Sequence, residues 1–391
     1  MRLVSGPPGP RVVLDGRPVT VLSSANYLGL ADHPRVREAA ADAALRWGAS
    51  AGAARQPYGT LLIHSRLEER LAGFLRTEAA LVTGSGYLAA VAVIRALGGA
   101  GATILVDELA CPALADACRL AEGETVAYHH CDAEQVAWEL HGAAGRGPLP
   151  AVIVTEAVFA RDGDVAPLPE LCEAARGGGA RLVVDESHAL GCLGPDGRGA
   201  LAEAGLDGEA DLVVCSLGTA LGSYGGAIGG DAAVLAEISL AGSSAPSPPA
   251  SAAALAALAL VGDADRRVAK LQSNAGILRD ALADQGLPVT GSATQVMALA
   301  AADLATAERM CHAALGEGVV VEAIAPSEVS GDGARVRMAV MASHAPGELG
   351  GAAEALGRAA RRAGRQDGLV RPSGAGARAT SVFDVEARLA A

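Results

Sequence analysis

The sequence predicts an α/β protein with a large domain built on a mostly parallel sheet and a smaller α+β domain after it. Two apolar runs, Arg181–Asp185 and residues 211–216, are short, and each ends in polar residues. Short buried strands of this kind are typical of parallel sheets, whose carboxyl edge carries the chemistry in α/β proteins. A third run at residues 80–83 breaks into a glycine turn and a helical pattern, which indicates another strand–helix unit.

Composition and charge exclude several classes of function. The chain has 391 residues, 51% of them hydrophobic but only 3% aromatic, which suits a large core of Ala, Val and Leu. Its net charge of −13 argues against nucleic acid or an anionic membrane surface as the main partner. The seven cysteines form no Cys-x-x-Cys pair, and we find neither a leader nor an apolar run of spanning character. We therefore expect a soluble cytoplasmic protein with reduced thiols and no membrane span.

The chain divides into four predicted segments. Residues 1–50 form an N-terminal arm and a first helix, and residues 51–250 form the large domain. Residues 251–363 contain a linker helix and the small C-terminal domain, and residues 364–391 are a tail.

The predicted elements before the central sheet are a hairpin and two helices. Residues 11–22 form the hairpin, with Asp15-Gly16 as its turn. Apolar residues at helical spacing predict helices at residues 33–47 and 63–75.

Two motifs of the large domain suggest ligand binding on their own. The glycine turn Ser85-Gly86-Tyr87 lies between a strand and a helix, where free backbone N–H groups can bind an anion. His129 and His130 follow an apolar run. We interpret them as a structural pair at a strand end rather than as metal ligands, so no metal site is predicted.

The C-terminal third alternates strands and helices, as an α+β domain does. Its first helix is expected at residues 251–282 with an interruption near Gly262, and the last ends near Arg362. The other expected elements are strands at residues 294–301, 319–323 and 335–341 and a helix at residues 304–315. In the tail, residues 381–391 fit either a docked amphipathic helix or a disordered end.

Three motifs resemble those of the α-oxoamine synthase family. They are Asp185-Glu-Ser-His188, Gly194-Pro-Asp-Gly197-Arg198-Gly199 and Ser216-Leu-Gly-Thr219-Ala-Leu-Gly222. The family's members are fold-type I pyridoxal-phosphate (PLP) enzymes that condense an amino acid with an acyl thioester. The resemblance extends over roughly residues 20–362 and implies the PLP-transferase fold for the large domain.

The resemblance assigns roles to residues of this chain. It implies that Asp185 pairs with the pyridinium nitrogen of PLP, and that His188 bonds to its ring hydroxyl. The implied phosphate contacts are Ser85, Gly86, Tyr87 and Ser216, and the implied substrate contacts are Asn26, Arg55 and Arg337. Of these, Arg337 matches the arginine that clamps the amino-acid carboxylate, for which a planar guanidinium is suited.

Two departures from the family pattern put the usual chemistry in doubt. Thr219 occupies the position of the lysine that carries PLP as a Schiff base, and a hydroxyl cannot form an imine. Cys111 occupies the position of the histidine that stacks on the PLP ring. We therefore expect no covalently bound cofactor, although PLP can still bind non-covalently.

The primary hypothesis is an acyltransferase that uses acyl-CoA or an acyl carrier protein without a PLP Schiff base. Its candidate catalytic set is Cys111, His188, a carboxylate from Asp185 or Glu156, and Thr219 at the lysine position. A buried inert cysteine is the alternative interpretation of Cys111.

Two other functions remain open. The chain is either the lysine-less subunit of a heteromeric synthase, paired with a lysine-bearing paralogue, or a synthase-like enzyme that binds PLP non-covalently. A homodimer is the default assembly for this architecture.

Overall fold

The computed structural model describes residues 2–144, 150–238, 245–262, 265–289, 291, 293–331 and 333–364. The chain separates into two compact units. The first contains residues 1–29, 160–164 and 266–391, and the second contains residues 30–159 and 165–265. The predicted tail beyond residue 364 lies outside the described residues, and the four-segment division stays a prediction.

The helices of the described residues are Pro34–Trp47 (α1), Leu62–Leu75 (α2), Gly86–Leu97 (α3), Pro112–Leu120 (α4), Ala133–Ala144 (α5), Leu168–Gly178 (α6), Ala200–Glu203 (α7), Ala232–Glu237 (α8), Pro248–Gly262 (α9), Asp265–Asp284 (α10), Leu304–Gly316 (α11) and Pro346–Gly364 (α12). Among these, none is long and apolar enough to cross a membrane.

The strands of the described residues are Val4–Ser5 (β1), Arg11–Leu14 (β2), Arg17–Val21 (β3), Ala79–Thr83 (β4), Thr103–Asp107 (β5), Glu124–Tyr128 (β6), Ala151–Glu156 (β7), Arg181–Asp185 (β8), Leu212–Ser216 (β9), Gly226–Gly230 (β10), Val296–Ala301 (β11), Val319–Val320 (β12), Glu322–Ile324 (β13) and Ala334–Ala339 (β14).

A seven-stranded sheet forms the centre of the second unit, in the order β4-β10-β9-β8-β7-β5-β6. The strands from β9 to β6 pair in parallel, whereas β10 is antiparallel to both β4 and β9. The sheet is therefore mostly parallel, as the sequence predicts for the large domain. The strands are nearly continuous apolar runs because helices cover both faces of such a sheet.

Small and branched apolar side chains fill the core beneath this sheet. Ala89, Val93 and Ile94 of α3 are fully buried and belong to one hydrophobic cluster with Val183 of β8 and Val214 of β9. Alanine on the helix face allows close approach to the sheet, which explains how the chain builds a core with so few aromatic residues.

Close backbone approach fixes the position of β10 beside the start of α3. A Cβ atom on Gly226 would lie 2.4 Å from the carbonyl oxygen of Ser85. Only glycine fits at this contact, which holds the glycine turn against the sheet.

Two small sheets belong to the first unit. One has the order β1-β2-β3-β12 and the other the order β11-β14-β13. The predicted hairpin is confirmed as β2 and β3, and its turn residues Asp15 and Gly16 have φ of 49° and 80°, as a type I′ turn requires. The expected single strand at residues 319–323 is wrong in one respect, because β12 pairs with β3 and β13 pairs with β14. The sequence of residues 319–324 is strand-like throughout, so it does not reveal that the chain leaves one sheet after β12 and joins the other at β13.

Glycine substitutions test the contact between β10 and the glycine turn. We expect Gly226→Ala to lower the free energy of unfolding by about 1–3 kcal/mol, because the added methyl group overlaps the Ser85 carbonyl. Gly73→Ala is the matched control, since no atom lies within 4 Å of its added Cβ in α2, and it should stabilise by about 0.5–1 kcal/mol. Urea unfolding of the two variants measures both, and equal effects would contradict the contact.

Candidate functional site

Carboxylates and hydroxyls collect at the carboxyl edge of the seven-stranded sheet. Glu156 ends β7 and is paired in register with Asp185, which ends β8. Ser216 ends the adjacent strand β9. Asp185 and Glu156 are buried, so their side chains lie in an environment that penalises negative charge.

A chain of hydrogen bonds joins the ends of β8 and β9. The backbone N–H of Ser187 donates to Asp185 Oδ1 at 2.8 Å, and the N–H of Ser216 donates to Ser187 Oγ at 2.8 Å. Thr219 Oγ1 then donates to the Ser216 carbonyl at 3.1 Å. The structure thus brings the predicted residues Asp185, Ser216 and Thr219 together in one bonded segment.

The start of α3 lies beside this segment and can bind an anion. Ser85 caps the helix, because its Oγ accepts a hydrogen bond from the backbone N–H of Leu88 at 3.1 Å. The Ser85 carbonyl oxygen accepts a second bond, from the backbone N–H of Ala89, at 3.1 Å. The N–H groups of Gly86 and Tyr87 belong to the same first turn, where helical geometry supplies no intrahelical acceptor. A Cβ on Gly86 would lie 3.2 Å from Ser216 Cβ, so the turn directly adjoins the end of β9.

Thr219, at the predicted lysine position, supplies a hydroxyl to this edge of the sheet. Its side chain is buried and its hydroxyl is committed to the Ser216 carbonyl. Lys270 is the only lysine of the chain, and it is exposed on α10 in the first unit. The lysine count of the sequence is the signal that identifies Lys270 as the chain's single side-chain amine.

The acids of the site differ in how they are held. Burial raises the pKa of Asp185, and hydrogen bonds from Ser187 oppose that rise. Burial also raises the pKa of Glu186 to about 7, against the backbone N–H groups of Leu201 and Ala200. Those two groups donate to Glu186 at 2.8 and 2.9 Å and tie it to the start of α7. Glu186 is therefore a structural acid bonded to α7, whereas Asp185 is bonded to the turn that follows its own strand.

Cys111 lies close to two carboxylates rather than to a cation. It precedes α4, and its backbone N–H donates to Glu156 Oε1 at 2.7 Å. Burial, followed by the negative charges of Glu156 and Asp185, raises the pKa of the Cys111 thiol. Because the thiolate is the nucleophile, these surroundings weigh against attack by Cys111 at neutral pH.

His188 and Tyr87 flank the site. His188 is half-buried in the turn after β8, and its predicted contact with a cofactor hydroxyl stays a prediction. The Tyr87 hydroxyl donates to Asp116 Oδ2 at 3.3 Å. This contact connects α3 to α4.

The three predicted substrate residues are each held by protein groups. Arg55, in the second unit, is buried, pairs with Glu68 and donates to the Val82 carbonyl at 2.8 Å. In the first unit, Asn26 Nδ2 donates to the Pro8 carbonyl at 2.7 Å. Also in the first unit, Arg337 Nε donates to the Ala160 carbonyl at 2.5 Å. Their roles toward a substrate stay predictions.

The residues of the second unit fit the phosphate and the ring nitrogen of PLP, but they offer neither a covalent bond at Thr219 nor a stacking ring at Cys111. The amides of Gly86 and Tyr87, with Ser216 beside them, suit a phosphate. The buried carboxyl of Asp185 suits a ring nitrogen that carries a proton. Thr219 offers a hydroxyl where an amine would be needed for a Schiff base.

Fold and site together define a transferase of the fold-type I PLP class. The chain belongs to the aminotransferase class I and II family, whose model matches residues 17–356, and within it to the α-oxoamine synthases. The predicted resemblance is thereby confirmed.

Several known proteins are similar along nearly the whole chain. The 8-amino-7-oxononanoate synthase of Geobacter sulfurreducens is 40% identical over 373 residues, which cover 93% of this chain and 94% of that protein. The protein of the same name from Anaeromyxobacter sp. is 40% identical over 363 residues, covering 89% of this chain and 88% of that one. The structure of Sphingomonas wittichii serine palmitoyltransferase superposes with a TM-score of 0.87 at 26% identity, covering 93% of each chain.

The raised pKa of Glu186 predicts a pH dependence of stability. A carboxyl whose pKa rises from 4.5 when unfolded to about 7 when folded adds stability below pH 4.5 that is lost as the pH rises through about 7. We expect this group to remove up to about 3 kcal/mol between pH 5 and pH 8. Glu186→Gln cannot ionise, so the difference in unfolding free energy between wild type and variant should fall over this range. If the unfolding free energies of wild type and variant, measured in urea, changed with pH in parallel, the raised pKa of Glu186 would be contradicted.

Proposed function

We propose that this protein is an acyltransferase of the α-oxoamine synthase type that holds PLP without a covalent bond to its own chain. The observation that carries the proposal is the combination of a retained cofactor-side network with a threonine at its reactive position. Hydrogen bonds link Asp185 to Ser187 and Ser187 to Ser216. The last bond of this chain is donated by the Thr219 hydroxyl to the Ser216 carbonyl.

The chain's own residues would bind and orient the cofactor. The first turn of α3 and Ser216 would take the phosphate, and Asp185 would hold the ring nitrogen. When bound, PLP supplies an electron sink for chemistry at the α-carbon of an amino acid. Asp185 is suited to keep a proton on the ring nitrogen, because burial strengthens an ion pair with a cationic partner.

The acyl donor is proposed to be a thioester, acyl-CoA or acyl carrier protein. Its support is the family membership, since the relatives that match over most of the chain are named as 8-amino-7-oxononanoate synthases. Transfer directly through Cys111 receives less support from the electrostatics, because the groups near its thiol are Glu156 and Asp185. The proposed assembly is a homodimer.

A lysine-less subunit of a heteromeric synthase is the second candidate function. The observation in its favour is that the chain's only lysine is the exposed Lys270, so a partner would have to supply the amine. PLP binding that occurs only after mixing with a lysine-bearing paralogue would favour this function over the first.

Cofactor binding without a covalent bond is directly testable. Purified protein incubated with PLP should gain thermal stability. After borohydride reduction and denaturation, however, the peptide that contains residue 219 should carry no added PLP mass. Thr219→Lys restores an amine at this position, so its PLP should become trapped by borohydride on residue 219, as peptide mapping reads out.

Lys270→Arg is the control for adventitious reaction with the surface lysine, and its thermal shift with PLP should equal that of the wild type. The absence of any shift with PLP, or a shift that disappears with Lys270, would overturn non-covalent binding.

The role of Asp185 predicts a loss of affinity. Asp185→Asn removes the negative charge that holds a protonated ring nitrogen, a hydrogen bond worth about 1.5–3 kcal/mol, so PLP should bind about 10- to 100-fold more weakly. Asp196→Asn is the matched control, since this aspartate is exposed and its φ of 56° suits asparagine. Equal PLP affinities of the two variants in a fluorescence titration would contradict the role.

A further inference from the structure

A second cluster of reactive side chains lies at the same sheet edge as the candidate site. Asp107 ends β5 and is paired in register with Tyr128, the last residue of β6. The residues that follow Tyr128 therefore turn toward Asp107. Since β5 also pairs with β7, Asp107 and Glu156 belong to neighbouring strand ends, about 5 Å apart across the sheet.

Asp107 orients the imidazole of His130. The buried Asp107 carboxylate lies 2.9 Å from His130 Nδ1 through Oδ1, and its Oδ2 accepts the backbone N–H of Cys131 at 2.9 Å. The His130 ring also packs edge-on against Phe159, with centroids 4.3 Å apart. An ionised carboxylate only accepts, so His130 donates from Nδ1 and presents Nε2 as an acceptor.

The thiol of Cys131 lies next to this oriented imidazole. Its Sγ is 3.5 Å from His130 Nε2 and 3.9 Å from Nδ1, and 3.9 Å from the Val165 carbonyl oxygen. Of the two ring nitrogens Nε2 is the nearer, and its 3.5 Å distance lies within hydrogen-bonding range for sulfur. Carboxylate, imidazole and thiol stand in the order that activates a cysteine nucleophile.

The backbone at Cys131 is in an unusual conformation. Its φ is 57°, in the left-handed region that asparagine adopts more readily than other side chains with a Cβ. A cysteine is held there without a local conformational preference for it. Backbone positions of this kind occur often at functional sites.

The other six cysteines have surroundings that suppress reactivity. Burial is the largest cause that raises the pKa of each of these thiols. They are Cys111, Cys118, Cys172, Cys192, Cys215 and Cys311. The Sγ of Cys131 lies 3.5 Å from an imidazole nitrogen, that of His130.

We propose that Cys131 is the nucleophilic thiol of this protein, activated by His130 and Asp107, and that it is acylated by a thioester. The identity of the acyl donor rests on the proposed function, whereas the reactivity of the thiol does not. In the transfer, the Cys131 proton passes to His130 Nε2 as Sγ attacks the thioester carbonyl carbon. A bond forms between Sγ and that carbon, the bond to the donor's sulfur breaks, and the leaving thiolate takes the proton from His130.

Limited alkylation tests the thiol independently of any acyl donor. With substoichiometric iodoacetamide at pH 7, peptide mapping should find Cys131 modified first. His130→Gln should slow this modification about 10-fold or more and shift its pH profile upward, because the base that deprotonates the thiol is gone. Modification of Cys311 or Cys111 before Cys131, or an unchanged rate and pH profile in His130→Gln, would overturn the activation.

Acyl transfer is tested by intact-protein mass spectrometry after incubation with acetyl-CoA and with octanoyl-CoA. A single acyl adduct is expected on the wild type and on Cys311→Ser, and it should be absent from Cys131→Asn. Asparagine suits the left-handed backbone, so this variant should unfold at the same temperature as the wild type or above it.

The PLP thermal shift of Cys131→Asn should equal that of the wild type, which separates this test from that of the proposed function. An adduct that persists in Cys131→Asn, or that maps to Cys111, would overturn acylation of Cys131. The absence of an adduct from both thioesters would overturn it as well, even where PLP binds as proposed.

Discussion

The hydrogen bonds between the ends of β8 and β9 are the constraint on which the candidate site depends. They run from Asp185 through Ser187 to Ser216 and end at Thr219. Each of these bonds joins a side chain to a backbone group, so the protein's own groups hold the segment in shape. The site is therefore preorganised, and its polar groups do not have to be ordered when a cofactor binds.

Two close contacts connect these bonded strand ends to the glycine turn at the start of α3. Gly226 allows β10 to touch the Ser85 carbonyl, and Gly86 places the start of α3 against Ser216. A side chain at either position would separate the helix amides from the strand end. The turn at the start of α3 and Asp185 are thus parts of one packed edge, and this arrangement suits the proposed ligand, which has both a phosphate and a cationic ring.

The surroundings of two thiols at this edge differ in their charged groups. Cys111 and Cys131 follow adjacent strand ends, but Cys111 lies near the carboxylates of Glu156 and Asp185, whereas Cys131 lies beside the imidazole of His130 as well as the carboxylate of Asp107. A carboxylate next to a thiol opposes ionisation, and an imidazole that can accept a proton favours it. The same sheet edge therefore separates a cofactor-side region of acids and hydroxyls from a thiol region two strands away.

The sequence by itself determined the fold class and the family, because apolar runs and local motifs do not depend on distant residues, and it predicted a threonine at the position of the Schiff-base lysine. It also gave most element positions, such as the hairpin at β2 and β3. Only the tertiary structure decided that residues 319–324 serve two sheets, and that Asp107 orients His130 beside Cys131. Strand order brings these groups together, and no local pattern encodes which strand ends become neighbours.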